Sequence, residues 1–343
     1  MRNMRFLLLL LGLATAQPSF AASPKKLPAL GADPARTSVS GLSSGGFFAM
    51  QYAVAYSSGT IGAGIVAGGP YACGLLGLAA ALPCMQGKPS GAGAFNAALW
   101  YAGFGAIDPT DHIAHQKIYL FHGTQDKIVF QPAMDAVRDF YVDLKVPAAN
   151  LLYVKEVAAG HAFISDRIGG ACDANGDHYI NRCDVGGQPY DQPGAILAHL
   201  LGPLKPRATT LSSVPIPFDQ RPYLPLASAM ADTGYVYIPK DCRKAAAHCA
   251  VHVVFHGCGQ SAAYAGADVY AGLGYNAWAD TNGIVILYPQ VDKSPVAPFN
   301  PQGCWDWWGY TGPALGGFPR FQTQSAPQMR AVHDVVARLQ AAR

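Results

Sequence analysis

Residues 39–46 read Val39-Ser40-Gly41-Leu42-Ser43-Ser44-Gly45-Gly46, and the pentapeptide Gly41-Leu42-Ser43-Ser44-Gly45 within them has the form G-x-S-x-G. A serine lifted above a sheet on a sharp strand-to-helix turn has a strained backbone. Side chains two residues before and after it would clash, and glycine at both places relieves the clash. The bare motif is common, so its surroundings decide its meaning. Residues 36–40 read as the strand that must precede it, and residues 44–56 as the helix that must follow. Ser43 is therefore the candidate nucleophile; the competing reading is a Gly/Ser-rich turn.

Outward from this point the chain alternates short apolar runs with helix-like patterns. Residues 61–67, 117–122 and 151–157 read as further strands, and residues 131–144 and 192–201 as helices. Strands that are apolar almost throughout belong to a sheet covered on both faces, and the strand–helix–strand order indicates an α/β fold. Residues 203–225 carry six prolines with little periodicity and read as a surface connection. Beyond it, residues 235–238, 251–256 and 284–288 resume as strands, with helices expected at 270–281 and 326–341. The expected organisation is one catalytic domain over residues 23–343.

A serine hydroxyl needs a base, and the base needs an orienting acid. In α/β-hydrolases the acid and the histidine follow the serine on loops after later strands. The strand at 117–122 runs into Gly123-Thr124-Gln125-Asp126, and the strand at 151–157 into Ala158-Ala159-Gly160-His161. Asp126 is thus the candidate acid and His161 the candidate base, with Asp111 and Asp166 as rival acids. His122 and His256 also end strands just before glycine. His122 precedes the acid and so has the wrong order. The other histidines fall in polar loops or on helices.

The strand ending in His256-Gly257 has the form that supplies one backbone N–H to an oxyanion hole; the second comes from the residue after the nucleophile, Ser44. That strand ordinarily precedes the serine. Here it follows the triad candidates by about a hundred residues. Joining the helix at 326–341 to Gly31-Ala32-Asp33-Pro34-Ala35-Arg36 restores the usual order, so a circularly permuted, mostly parallel sheet with helices on both faces is expected. The mature N-terminus and the C-terminus should then lie close together.

The chain has 343 residues, 50% hydrophobic and 13% charged, with a net charge of +3 and no basic run, which argues against nucleic acid as a partner. Arg2 and Arg5, the apolar run from Phe6 to Leu13 and Ser19-Phe20-Ala21 read as a signal peptide over residues 1–22, too short to serve as a membrane anchor. Export to the periplasm or medium makes the eight cysteines candidates for disulfides. Eight cysteines allow roughly a hundred pairings. Closeness in sequence suggests Cys73–Cys84, Cys172–Cys183 and Cys242–Cys249, leaving Cys258 with Cys304.

Three segments together, Gly41-Leu42-Ser43-Ser44-Gly45-Gly46, His256-Gly257-Cys258-Gly259-Gln260 and Cys304-Trp305-Asp306-Trp307-Trp308, resemble the secreted poly(3-hydroxybutyrate) depolymerases, most nearly the single-domain, circularly permuted type. The likeness runs from about Pro34 to Ala341. It implies Ser43, Asp126 and His161 as the triad and the N–H groups of Ser44 and Cys258 as the oxyanion hole. It further implies a polyester or oligomeric ester as substrate, and tryptophans near Cys304 in the cleft, Trp307 foremost and Trp305 beside it. No cofactor or metal is implied, and a monomer is expected. Many polymer-degrading relatives carry a separate surface-binding domain, for which this chain leaves no room, so the resemblance does not imply efficient attack on crystalline polymer. Two other readings stand beside it. One is a feruloyl, acetyl or other small-ester esterase on the same scaffold. The other is an inactive secreted binding protein.

Asp173-Ala174-Asn175-Gly176-Asp177 spaces its oxygen-bearing side chains as a calcium loop does, but lacks glycine at the sixth place and glutamate at the twelfth. A turn stapled by Cys172 and Cys183 reads equally well.

Overall fold

In the computed structural model, which describes residues 24–244, 247–296, 298–312 and 320–343, the apolar runs become strands of one eight-stranded sheet. The expected signal peptide lies outside the described residues. In chain order the strands are β1 (Thr37–Leu42), β2 (Thr60–Val66), β3 (Lys117–Phe121), β4 (Leu151–Val154), β5 (Ile216–Asp219), β6 (Thr233–Tyr237), β7 (Ala250–Phe255) and β8 (Ile284–Tyr288). Across the sheet they run β4-β3-β2-β1-β7-β8-β6-β5. All neighbours are parallel except where β6 meets β8 and β5.

Both faces of the sheet are apolar, and period-two alternation divides the side chains between two cores. In β3, Ile118 and Leu120 join one core, Tyr119 and Phe121 the other. Helices α1 (Ser44–Ala55), α4 (Gln131–Asp143) and α7 (Pro327–Gln340) contribute Phe48, Phe140 and Val332 to the first core. Helices α5 (Gln192–Leu201) and α6 (Tyr275–Asn282) contribute Leu197 and Tyr275 to the second. Every residue of α1 is buried, as befits a helix apolar all round at the centre of the molecule.

The sheet order shows the permutation directly. The second half of the chain fills one side of the sheet and the first half the other, meeting where β7 pairs with β1 from Thr37↔Val251 to Gly41↔Phe255. The segment before β1 is tied to the end of α7: Leu30 N donates to Leu339 O (3.0 Å) and Gly31 N to Ala341 O (3.0 Å). This is an α/β-hydrolase fold whose chain is cut elsewhere.

Four differences from the sequence reading have local causes. Helices α2 (Leu78–Gln86) and α3 (Gly91–Gly103) were not expected. Pro83 interrupts the helical signal of the first, and the second is rich in glycine and alanine with little polar face. Residues 203–225 are not all connection, because they contain β5; Pro217 is tolerated there because the strand lies at the sheet edge. The helix expected at 270–281 is interrupted at Gly274, whose φ of 117° ends the preceding turn before α6 begins. The four disulfides pair as expected, Cys258–Cys304 included. Among the described residues no helix is long and apolar enough to cross a membrane.

Candidate active site

β1 runs straight into Ser43, whose φ of 56° and ψ of −124° place it in a region that non-glycine residues rarely adopt. The turn is held by Ser43 N donating to Val66 O (2.9 Å) and by Phe47 N donating to Ser43 O (2.8 Å). The flanking glycines are sterically required. A Cβ on Gly41 would sit 2.2 Å from Gly45 O, and one on Gly45 would sit 2.3 Å from Phe255 O. The second clash comes from the permuted strand β7, which presses directly on the elbow.

The loop after β3 delivers Asp126, whose carboxylate serves two partners. Oδ1 accepts from Ile128 N (2.8 Å) and Val129 N (2.9 Å), and Oδ2 lies 2.8 Å from Nδ1 of His161. Both side chains are buried. An imidazole whose Nδ1–H is held by a carboxylate keeps its lone pair on Nε2, the nitrogen a general base needs. The rivals are engaged elsewhere. His122 is buried and donates from Nε2 to Val129 O (3.0 Å), bracing the Asp126 loop. His256 bonds to Gly257 O and accepts from Val291 N. Asp166 pairs with Arg207 at 2.6 Å, and Asp111 is exposed.

A cavity of about 330 Å³ brings the convergent parts together: Ser43, Ser44, His161, Cys258, Trp307 and Trp308 all line it. Ser44 is the first residue of α1, where backbone N–H groups lack an intrahelical partner. Cys258 is fastened by its disulfide to Cys304. The adjacent Gly257 N–H is already used, donating to Gln260 Oε1 at 2.7 Å. Leu78, Met85 and Ile128 add an apolar wall, so the unexpected α2 contributes to the site.

The segment Cys304–Trp308 is organised by Asp306, which is buried. Its Oδ1 accepts from Trp308, Gly309 and Tyr310 backbone N–H groups, and its Oδ2 from Thr311 N and Oγ1. Burial pushes its carboxyl above the ordinary range, against the pull of those bonds. The loop presents Trp307 and the half-buried Trp308 to the cavity. Trp305, expected at the cleft, is instead a core residue: it is 0% exposed and packs against Phe48, Phe255 and His256. Two positions apart on a straight extended chain they would share a face; the bend organised by Asp306 separates them, so Trp305 packs on Phe48 in one core and Trp307 stacks on Phe47 in the other. Tyr179, which lines the cavity and packs edge-on against the His161 ring, carried no signal in the sequence, and neither did the organising role of Asp306, because both depend on which loops meet.

No protein-family model matches the chain. A Delftia acidovorans protein named poly(3-hydroxybutyrate) depolymerase is 40% identical over 320 residues, covering 91% of this chain and 61% of that protein. This chain therefore spans about three fifths of that relative's length. The polyhydroxybutyrate depolymerase of Talaromyces funiculosus is 37% identical over 301 residues, which cover 83% of this chain and 86% of the relative. The crystal structure of the depolymerase from Penicillium funiculosum matches with a TM-score of 0.83 at 34% identity, covering 92% of this chain and 99% of that one. A structure of a PHB depolymerase complexed with an R3HB trimer matches with the same TM-score at 33% identity and the same coverage. With identity at this level over most of both chains, and a shared fold, the chain belongs to the poly(3-hydroxybutyrate) depolymerase family.

Proposed function

We propose that this chain is a secreted serine esterase that hydrolyses poly(3-hydroxybutyrate) or related short-chain hydroxyalkanoate polyesters and their oligomers. One observation carries the reading: His161, held 2.8 Å from the buried Asp126 carboxylate, lines the same cavity as a serine on a strained strand-to-helix elbow. Ser43 Oγ attacks the ester carbonyl carbon while His161 Nε2 takes the hydroxyl proton, and Asp126 stabilises the imidazolium. The N–H groups of Ser44 and Cys258 receive the developing oxyanion, each donor contributing about 3 kcal/mol to the transition state. Collapse expels the alcohol end of the polyester, which takes the proton from His161. Water then attacks the acyl-serine with His161 again as base, releasing the hydroxy acid and restoring Ser43.

The apolar and aromatic cavity wall suits a chain of methyl-branched esters, and a family member has been solved with an R3HB trimer. Secretion is supported by the four disulfides. The test is clearance of a poly(3-hydroxybutyrate) suspension by the wild type and Ser43→Ala, with p-nitrophenyl and feruloyl esters alongside. Clearance by the wild type alone is expected, with fluorophosphonate labelling only when Ser43 is present. Turnover confined to the feruloyl ester would overturn the polyester assignment, and an unlabelled, inert wild type would favour the binding protein.

A further inference from the structure

The loop stapled by Cys172–Cys183 meets the site through Asn175, a residue that the chemistry above does not use. All four of the carboxamide's hydrogen bonds go to backbone. Oδ1 accepts from Lys127 N (3.0 Å) and His161 N (3.0 Å). Nδ2 donates to Gln125 O (3.0 Å) and Asp173 O (3.0 Å). Gln125 and Lys127 are the two neighbours of Asp126. One side chain therefore grips the backbone on both sides of the acid and the backbone of the base itself.

The surroundings make this grip firm. Asn181 Nδ2 donates to Cys172 O (2.9 Å) and Ala174 O (2.8 Å), and Gly160 N donates to Cys172 O (2.8 Å). The loop packs so closely on the residue before His161 that a Cβ on Gly160 would lie 2.0 Å from Ala174 O. At its far end, Gln260 Nε2 donates to His178 O (2.6 Å) and Tyr179 O (3.0 Å), joining the same loop to the Gly257-Cys258 segment.

We propose that Asn175 is a positioning residue that sets the alignment of His161 with Asp126, a proposal that rests on the triad reading given above. The two loops it joins come from different strands; past the ends of β3 and β4 Thr124 N donates to Val157 O (2.8 Å) and Gln125 N to Ala159 O (3.0 Å), and Asn175 extends this pairing to Lys127 and to His161 itself. Only a side chain with two acceptor lone pairs and two donor hydrogens can make all four bonds. Aspartate would keep the two accepted bonds and lose the two donated ones; alanine would lose all four. A displacement of about 1 Å at reacting groups costs up to about a hundredfold in rate.

The test compares wild type, Asn175→Ala, Asn175→Asp and Ser43→Ala on a soluble hydroxybutyrate oligomer ester, with rates expressed per fluorophosphonate-titrated site, or per mole of protein for Ser43→Ala, which offers no site to titrate. Expected is a fall in kcat of about 10- to 100-fold for Asn175→Ala with KM within about twofold, and an intermediate kcat for Asn175→Asp. The low-field proton resonance of the His161–Asp126 bond should move or broaden in the same order. A kcat per titrated site within twofold of wild type in Asn175→Ala overturns the proposal. So does a loss that appears in KM alone. If the alanine variant does not fold, Asn175→Asp decides: wild-type kcat with an unmoved resonance refutes the positioning role. Ser43→Ala separates the two ideas, because activity surviving there would sink the triad itself, whereas an inert Ser43→Ala beside a fully active Asn175→Ala sinks only the role of Asn175.

Discussion

The indole of Trp307 stacks on the ring of Phe47, with centroids 3.9 Å apart and planes within 16° of parallel. Phe47 lies four residues after Ser43 on α1, so the aromatic loop and the nucleophile helix share one contact. Trp307 is 4% exposed, yet it lines the cavity. Replacing it with alanine should therefore do two things. Stability should drop by about 3–5 kcal/mol, the usual cost of truncating a buried large aromatic. KM for oligomeric esters should rise several-fold, with a smaller change for p-nitrophenyl acetate, which needs less of the wall. Trp307→Phe should recover most of both. Denaturant titration and steady-state kinetics on the two substrates check this, and equal KM changes on both would detach Trp307 from chain recognition.

Gly45 gives a sharp steric prediction. Its absent Cβ would lie 2.3 Å from Phe255 O and 2.4 Å from His256 O, the last residue of β7 and the one after it, which the elbow must touch. Backbone atoms cannot swing aside as a side-chain tip can. Gly45→Ala should therefore shift the elbow and abolish labelling of Ser43, with a stability loss of at least about 2 kcal/mol. Gly59→Ala, at a site with nothing within 4 Å, is the matched control and should be neutral in both assays. Normal labelling of the Gly45 variant would show that the strand and helix can separate without harm.

Two buried histidines set a pH limit on stability. Burial holds His256 down at about 4 and His252 at about 3, below the ordinary 6.5. His252 sits between Ser38 Oγ and Ser40 Oγ, each 2.8 Å from a ring nitrogen. Below about pH 6.5 the unfolded chain binds protons that the folded chain refuses, so stability is full above that value and falls as pH drops toward the folded values. At about 1.4 kcal/mol per pH unit, each histidine removes about 2 kcal/mol between pH 7 and pH 5. Urea midpoints at those two values test this while most carboxylates stay ionised. A constant midpoint would mean that the rings are already charged or hydrated in the fold.

The sequence alone settled whatever is local in chain or composition. The elbow was legible because strained backbone demands glycine at fixed offsets from Ser43, and the strands because a sheet buried on both faces requires unbroken apolar runs. The place of the His256-Gly257 strand even disclosed the permutation, since chain order is itself a sequence property. Helices α2 and α3 stayed hidden because Pro83 and a run of glycine and alanine blur helical periodicity, and tertiary contacts hold them regardless. The tertiary structure alone decided which of the tryptophans reaches the cavity, because burial depends on what stands opposite: Phe48 and Phe255 enclose Trp305, while Phe47 supports Trp307. It also decided that Asn175, one polar residue in an ordinary turn, grips the loops of both Asp126 and His161, because hydrogen bonds between distant segments leave no periodic trace in a sequence.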